Sequence, residues 1–156
     1  MPPGPRRAVD REEVRAVCFT EPEIDYLATQ LVGRLATVGR RGAQIRPVAF
    51  RLNEDGTIDI GGPDITAGAE YRNVRERPDR EVALVVDDTA PASGAPRPAR
   101  GRGRGVEVRG RAETLTLDEP PLRPESFARE VIRIHPRTVA SWNVDPDRPD
   151  GTRAAG

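Results

Sequence analysis

The order of elements between residues 31 and 88 decides the fold. This part of the chain contains LVGRLATVGRRGAQIRPVAF at residues 31–50, TIDIGG at residues 57–62 and AEYRNVRERPDREVALVVDD at residues 69–88. Short apolar runs separated by glycine-containing turns predict strands, and a helical segment that a proline ends follows the third run. The predicted order is strand, strand, strand, short helix, strand. Across the chain, short strands dominate and helical patterns are few, which favours a closed or nearly closed antiparallel β-barrel over a parallel sheet.

Local signals set the element boundaries. Thr20 lies three residues before Glu23, which is the spacing of a capping box, and apolar residues then recur at helical intervals. The sequence NEDG at residues 53–56 is the clearest hairpin turn, and Pro78 ends the second helix. The predicted elements are a first helix from residue 21, strands over residues 34–38, 44–52, 57–60 and 82–86, and a helix over residues 67–77.

The chain is expected to form one domain over residues 19–144. Residues 1–18 and 145–156 are rich in proline, glycine and charge, so we expect flexible ends. Residues 88–105 lack periodicity and predict a long mobile loop. Strands are expected at residues 106–117, 131–134 and 138–144, with Pro136 forming a corner between the last two.

Composition excludes several classes of function. Lys+Arg and Asp+Glu both number 25, so no overall field favours nucleic acid, and every basic residue is arginine. Cys18 is the only cysteine, which rules out an internal disulfide. No apolar run has the length of a membrane span, and the first residues do not resemble a signal peptide. We therefore expect a cytoplasmic protein without nucleic-acid or membrane partners.

The sequence contains few groups for classical catalysis or metal binding. A single histidine and a single cysteine cannot make a persuasive metal site, and His135 is better interpreted as structural. Asp87 and Asp88 could ligate a hard cation, but their position favours strand-end turn chemistry. The GRGRG segment at residues 101–105 resembles a nucleic-acid-tracking motif. Because aromatic residues make up only 4% of the chain, a solvated linker or a local clamp for a small anion is favoured.

Gly61 and Gly62 precede the second predicted helix. Glycines allow a phosphate to approach the backbone, and a helix start supplies unpaired N–H donors. The same two residues could form a plain turn, and spacing alone does not choose between these interpretations.

A family resemblance bears on that choice. The segments GRLATVG, RPVAF, TIDIGG, YRNV, VALVVDD, GVEVRGRA and IRIHP followed by SW occur in this order within residues 19–144. In this order they resemble the actinobacterial branch of the PPOX-class proteins, which are related to pyridoxamine 5'-phosphate oxidase and use coenzyme F-420 or FMN. The resemblance implies a mainly β fold, the FMN-binding split β-barrel. It also implies a homodimer that binds its cofactor in a groove between the two chains.

The resemblance also implies an activity. It suggests an F-420-dependent reductase that gives a hydride to a C=C or C=N bond of a small molecule, with FMN as the alternative cofactor. A third possibility is a repurposed barrel that binds a ligand without catalysis. No catalytic residue can be named and no metal is implied.

The resemblance assigns the cofactor-binding positions. Pro47, Val48 and Phe50 would line the ring system, and Ile60, Gly61 and Gly62 would flank it. Arg72 and Asn73 would lie near the phosphate, and Trp142 would approach from the C-terminal strand. The other assigned cofactor-binding residues are Arg46, Thr66 and Tyr71. Where relatives have Lys or Arg just before Tyr-Arg-Asn, this chain has Ala69 and Glu70. A carboxylate beside a phosphate is repulsive, so this departure bears directly on phosphate binding.

Overall fold

Six antiparallel strands close into a barrel in a computed structural model. The structure describes residues 18–90, 103–122, 125–148 and 151–156. The predicted flexible segment before residue 18 and most of the predicted loop at residues 88–105 lie outside these ranges. The elements are α1 (Glu21–Ala28), β1 (Val32–Gly39), β2 (Gly42–Leu52), β3 (Ile58–Gly61), a 3-10 turn (Ile65–Ala67), α2 (Ala69–Glu76), β4 (Glu81–Asp88), β5 (Arg104–Thr116), β6 (Glu130–Trp142) and β7 (Thr152–Ala155).

The strand order is β3-β2-β1-β4-β5-β6, and pairing of β3 with β6 closes the barrel. Ile58 lies opposite Ile134 and Ile60 lies opposite Ile132 at this closure. The second half of β6 leaves β3 and pairs with β7 instead. The predicted mainly β split barrel is therefore confirmed. Within the described residues, no helix has both the length and the apolar character needed to cross a bilayer.

Alternate residues of each strand fill the barrel with apolar side chains. The two helices contribute to the same core: α1 supplies Tyr26 and Leu27, and α2 supplies Tyr71 and Val74. The predicted capping box of α1 is confirmed, because Thr20 N–H donates to Glu23 Oε1 at 2.8 Å and Glu23 N–H donates to Thr20 Oγ1 at 3.4 Å.

The predicted corner at Pro136 is wrong, because β6 runs without a break from Glu130 to Trp142. Pro136 lies opposite Gly110, at a register shift between Arg109 and Gly110 of β5. A bulge tolerates a residue without an N–H donor. The same place requires glycine on the other strand, since a side chain on Gly110 would collide with the carbonyl oxygen of His135.

The prediction of a frayed end is wrong for β7, which pairs with the last four residues of β6. Arg153 of β7 donates from Nη1 to both oxygens of the fully buried Glu23 carboxylate, at 2.5 and 2.9 Å. Its Nη2 donates to the carbonyl oxygen of Cys18 at 3.2 Å. The strand is therefore held to α1 by a buried ion pair as well as by its backbone.

A second buried charge joins β2, β3 and β6. The Asp59 side chain is 0% exposed and accepts hydrogen bonds from Arg133 at 2.7 and 2.9 Å and from Arg51 at 3.3 Å. Burial alone would raise the pKa of Asp59, but the bonds and charges of the arginines hold it below its ordinary value. Arg51 also donates to the carbonyl oxygen of Pro121 at 2.9 Å, which ties Pro121 to β2.

Candidate functional site

The outward side chains of β1, β2 and β4 to β7 form one continuous surface, which we call the outer face. Direct strand partners place Pro47 beside Arg34, Arg34 beside Val85 and Val85 beside Glu107. Glu107 lies beside Ala140, which lies beside Ala154 of β7. The outer face therefore crosses six strands in register.

Two of the predicted cofactor residues lie on the outer face. Pro47 is exposed on β2, and Trp142 lies at the end of β6, opposite Gly105. A side chain on Gly105 would collide with the indole ring, so the ring covers this glycine. Arg34 and Asp87 form an ion pair of 2.5 Å between the two positions.

Three other predicted residues lie inside the barrel. Val48, Phe50 and Ile60 are buried members of the hydrophobic core. Val48 directly follows Pro47 on β2, and consecutive strand residues face opposite sides. The structure therefore separates these three side chains from the outer face within a single chain.

The glycine pair after β3 has one covered and one open position. A Cβ atom on Gly61 would lie 3.3 Å from Pro121 and 3.5 Å from Phe127, whereas one on Gly62 would meet nothing within 4 Å. Ala128 N–H donates to the carbonyl oxygen of Gly62 at 3.1 Å. A ligand could therefore approach the backbone at Gly62 but not the covered side of Gly61.

Helix α2 contains the residues predicted to lie near a phosphate. Arg72 is exposed, and so is Thr66 in the turn before the helix. Asn73 is buried and donates to Thr37 at 3.0 Å and to Gln44 at 2.6 Å, so its amide joins the helix to the first hairpin. The Tyr71 ring is buried and the Arg75 guanidinium lies 6.0 Å from its centre. Arg46, which was predicted with them, is exposed on β2.

The carboxylate of Glu70 lies in the first turn of α2. Gly68 is the N-cap of α2, and a side chain there would collide with the Glu70 carboxylate, which folds back over it. Negative charge is favourable at the first turn of a helix. Glu70 therefore places its own anion where the exposed start of α2 would attract one.

Solved structures share the fold of this chain at low sequence identity. A conserved hypothetical protein of Mycobacterium tuberculosis aligns with 91% of this chain and 96% of its own, with a TM-score of 0.58 and 20% identity. The FAD-binding protein of Mycobacterium smegmatis aligns with 80% of this chain and 93% of its own, with a TM-score of 0.53 and 20% identity. A Lactobacillus delbrueckii protein proposed to be a pyridoxamine 5'-phosphate oxidase aligns with 78% of this chain and 92% of its own, with a TM-score of 0.54 and 22% identity.

A curated relative gives a much stronger match, although no family model matches the chain. The 5a,11a-dehydrotetracycline/5a,11a-dehydrooxytetracycline reductase of Streptomyces rimosus is 41% identical over 138 residues, which is 87% of this chain and 91% of the relative. The chain belongs to the pyridoxamine 5'-phosphate oxidase-like split β-barrel family. Its relationship to a reductase makes this split-barrel protein an oxidoreductase.

Sequence reasoning missed one cluster of this split-barrel oxidoreductase, at the base of the connection between β4 and β5. Arg104 donates from Nε to both oxygens of Asp88 at 3.1 and 3.2 Å, and its guanidinium lies 5.0 Å from the Tyr26 ring centre. The bond to Asp88 raises the pKa of Arg104. Burial, followed by the charge of Asp88, raises the pKa of Tyr26. The two ends of this connection are thus fixed against α1.

In the split barrel, the two aspartates and the histidine for which the sequence left alternatives open all have charged partners. Asp87 and Asp88 are paired with Arg34 and Arg104. Among the described residues, no group of three His, Cys, Asp or Glu could hold a metal. His135 Nε2 lies 2.5 Å from Glu113 Oε2, so its ring is paired with a carboxylate.

Proposed function

We propose that this protein is a cytoplasmic F-420-dependent reductase that transfers a hydride to a carbon–carbon double bond of a small molecule. FMN is the alternative cofactor. The observation that carries the proposal is the match of nearly the whole chain to a reductase. The name of that relative describes a four-ring substrate with an extra double bond between positions 5a and 11a. We extend this substrate class, a flat polycyclic molecule with a reducible C=C bond, to the present chain.

Titration of the purified protein with oxidised F-420 and with FMN tests the cofactor. Ring fluorescence should change on addition of F-420, and reduced F-420 should then support loss of the double-bond absorbance of 5a,11a-dehydrotetracycline. If FMN alone binds, the deazaflavin assignment is replaced by a flavin. If neither cofactor binds, the proposed function is wrong.

Residues of the outer face, the turn after β3 and helix α2 would bind the cofactor. Trp142 offers an aromatic ring, Pro47 offers an exposed apolar edge, and Gly62 leaves the backbone open to a close approach. At the acidic end of such a cofactor, Arg72 is an exposed cation one turn into α2. These four residues would hold the cofactor.

The cofactor would supply the hydride chemistry when bound. The chain would supply binding and orientation: Trp142 and Pro47 would each offer an apolar contact to a ring, and Arg72 would neutralise negative charge. Because Trp142 and Pro47 lie four strands apart on the outer face, one ring would contact both only if it lay between two chains. Substrate protonation would come from solvent.

Replacing Glu70 by Lys is expected to tighten F-420 binding by up to about tenfold. The physical reason is that the Glu70 carboxylate lies over Gly68 at the helix start, where it repels an incoming anion. Fluorescence titration measures the dissociation constant, and the gain should shrink with added salt.

The matched control is Glu76→Lys, which makes the same charge change at the far end of α2 and should leave the affinity nearly unchanged. Weaker binding by Glu70→Lys would contradict this account and would indicate that Glu70 supports the ligand contact.

Replacing Trp142 by Ala should weaken cofactor binding about fivefold, because an aromatic ring beside a planar ring contributes about 1 kcal/mol beyond buried area. Trp142→Phe keeps a ring and should lose less. Both variants should remain folded, which urea unfolding checks, because Trp142 lies on the outer face and is not a member of the hydrophobic core. Unchanged affinity of a folded Trp142→Ala variant would remove this residue from the site.

We further propose that two chains pair through the outer face of β1 and β2. Ile45 is 66% exposed, Val32 is 51% exposed and Val38 is 38% exposed, and all three lie on the same side of the β1–β2 pair as Pro47. Large apolar side chains in a contiguous patch favour association. A second copy would cover this patch and complete a cofactor groove, as the family resemblance implies.

A further inference from the structure

The outer face contains a cleft beside the last strand, where β6 and β7 carry only small side chains. Ala140 and Ala154 are direct partners on these strands, and Glu107 lies beside Ala140 on β5. The cleft has a volume of about 250 Å³, and Thr138 and Ala155 also line it. Ala140 and Ala154 have one-carbon side chains, which leave space between the neighbouring strands.

Glu107 is an acidic side chain in the lining of the cleft. Arg109 donates to Glu107 Oε1 from Nε at 3.2 Å and from Nη2 at 3.0 Å. Both bonds use the same oxygen, so Arg109 does not use Glu107 Oε2. The carboxylate is partly buried and remains an acceptor for a ligand that enters the cleft.

The size of the cleft indicates what it can hold. Complete sites for small molecules usually measure about 300–1,000 Å³, so this cleft takes one end of a larger ligand. Ala140 and Trp142 lie on the same face two residues apart, which is about 7 Å along a strand. A flat ligand seated at Ala140 and Ala154 would therefore extend toward Trp142.

We infer that this cleft binds one end of a flat polycyclic ligand and that Glu107 accepts a hydrogen bond from it. This inference rests on the proposed function for the class of ligand, a fused-ring substrate. It assigns the substrate end of the site to β5, β6 and β7, with the alanines as its floor. Cofactor binding is assigned to other residues, apart from Trp142 at the boundary.

The test is a fluorescence titration of the full-length protein with tetracycline, in the absence of cofactor. Ala154→Phe fills the cleft and should weaken binding about tenfold or more, since a small steric change in an apolar pocket has effects of this size. Glu107→Gln removes the charged acceptor and should weaken binding about tenfold. Ala154→Ser keeps the space and should bind like the wild type.

The control for the acidic residue is Glu113→Gln, which changes another paired glutamate of the same strand outside the cleft. Equal binding by all four variants, or no binding by the wild type, would overturn the inference. So would loss of the dimer in sedimentation of Ala154→Phe, because the cleft would then be covered by a second copy. If Ala154→Phe does not fold, Glu107→Gln decides.

A parallel titration with F-420 distinguishes the two proposals. If Ala154→Phe and Glu107→Gln lose tetracycline binding but keep the wild-type affinity for F-420, both the ligand cleft and the proposed reductase are supported. If the two variants lose tetracycline binding and the wild type binds neither F-420 nor FMN, ligand binding in the cleft is supported and the proposed function is refuted.

Discussion

Asp59→Asn is expected to lower the free energy of unfolding by about 3 kcal/mol, because it leaves two arginines facing a neutral group at a buried position. The Asp59 carboxylate is 0% exposed and is held by Arg133 and Arg51 across three strands. It lies at the barrel closure, where Asp59 is the direct partner of Arg133. Urea unfolding at neutral pH measures the loss.

Asp87→Asn is the matched control. Its ion pair with Arg34 is about half exposed on both sides, so the variant should lose about 1 kcal/mol or less. If the two variants lose the same amount, the burial of Asp59 does not determine its contribution.

The pH dependence gives an independent check. The pKa of Asp59 is held below its ordinary value of about 3.9. A carboxyl group with a lowered pKa stabilises the folded state fully above its unfolded-state pKa, and this stabilisation is lost as the pH falls through the folded-state value. The difference between wild type and Asp59→Asn should thus be constant from neutral pH to about pH 5 and shrink below about pH 4.

Local patterns were sufficient to predict the strands and helices of the barrel, and the family resemblance predicted that it is a split barrel. Alternating apolar residues and glycine turns are short-range signals, and they locate β1 to β5 and both helices to within a few residues. The capping box of α1 is equally local, since Thr20 and Glu23 are three residues apart.

The features that were missed depend on residues far apart in the sequence. Pro136 predicts a corner by itself, and only its partner Gly110 shows that a bulge accommodates it. Residues 152–155 carry no strand signal, and Arg153 finds Glu23 across 130 positions. Such pairings follow from the closed topology and not from any local pattern.

Which of the candidate site residues share a face of the sheet could be predicted only in part, for a similar reason. Pro47 and Val48 were both assigned to the cofactor ring, yet neighbours on a strand face opposite sides. The alternation that predicted β2 also indicates that one of them must point into the barrel. Trp142 could be placed on the outer face only once the pairing of β6 with β5 was known.

Ile45→Arg is expected to abolish the proposed dimer at micromolar concentration. Burial of an exposed isoleucine contributes about 1.5 kcal/mol or more, and a twofold axis counts the change twice, so the dimer dissociation constant should rise about 100-fold or more. Ile45 is 66% exposed in the single chain, so the free energy of unfolding of the monomer should change by about 0.5 kcal/mol or less. Sedimentation velocity measures the association, and urea unfolding measures the stability.

The control is Ile24→Arg, because Ile24 is also an exposed isoleucine, at 43%, but lies on α1 outside the outer face. This variant should sediment as a dimer. A wild-type protein that sediments as a monomer would refute the dimer. Dissociation by Ile24→Arg and not by Ile45→Arg would move the interface to α1. Because the proposed groove needs both chains, Ile45→Arg should also lose F-420 affinity in parallel with its loss of dimer, whereas a cofactor site complete within one barrel would bind F-420 unchanged.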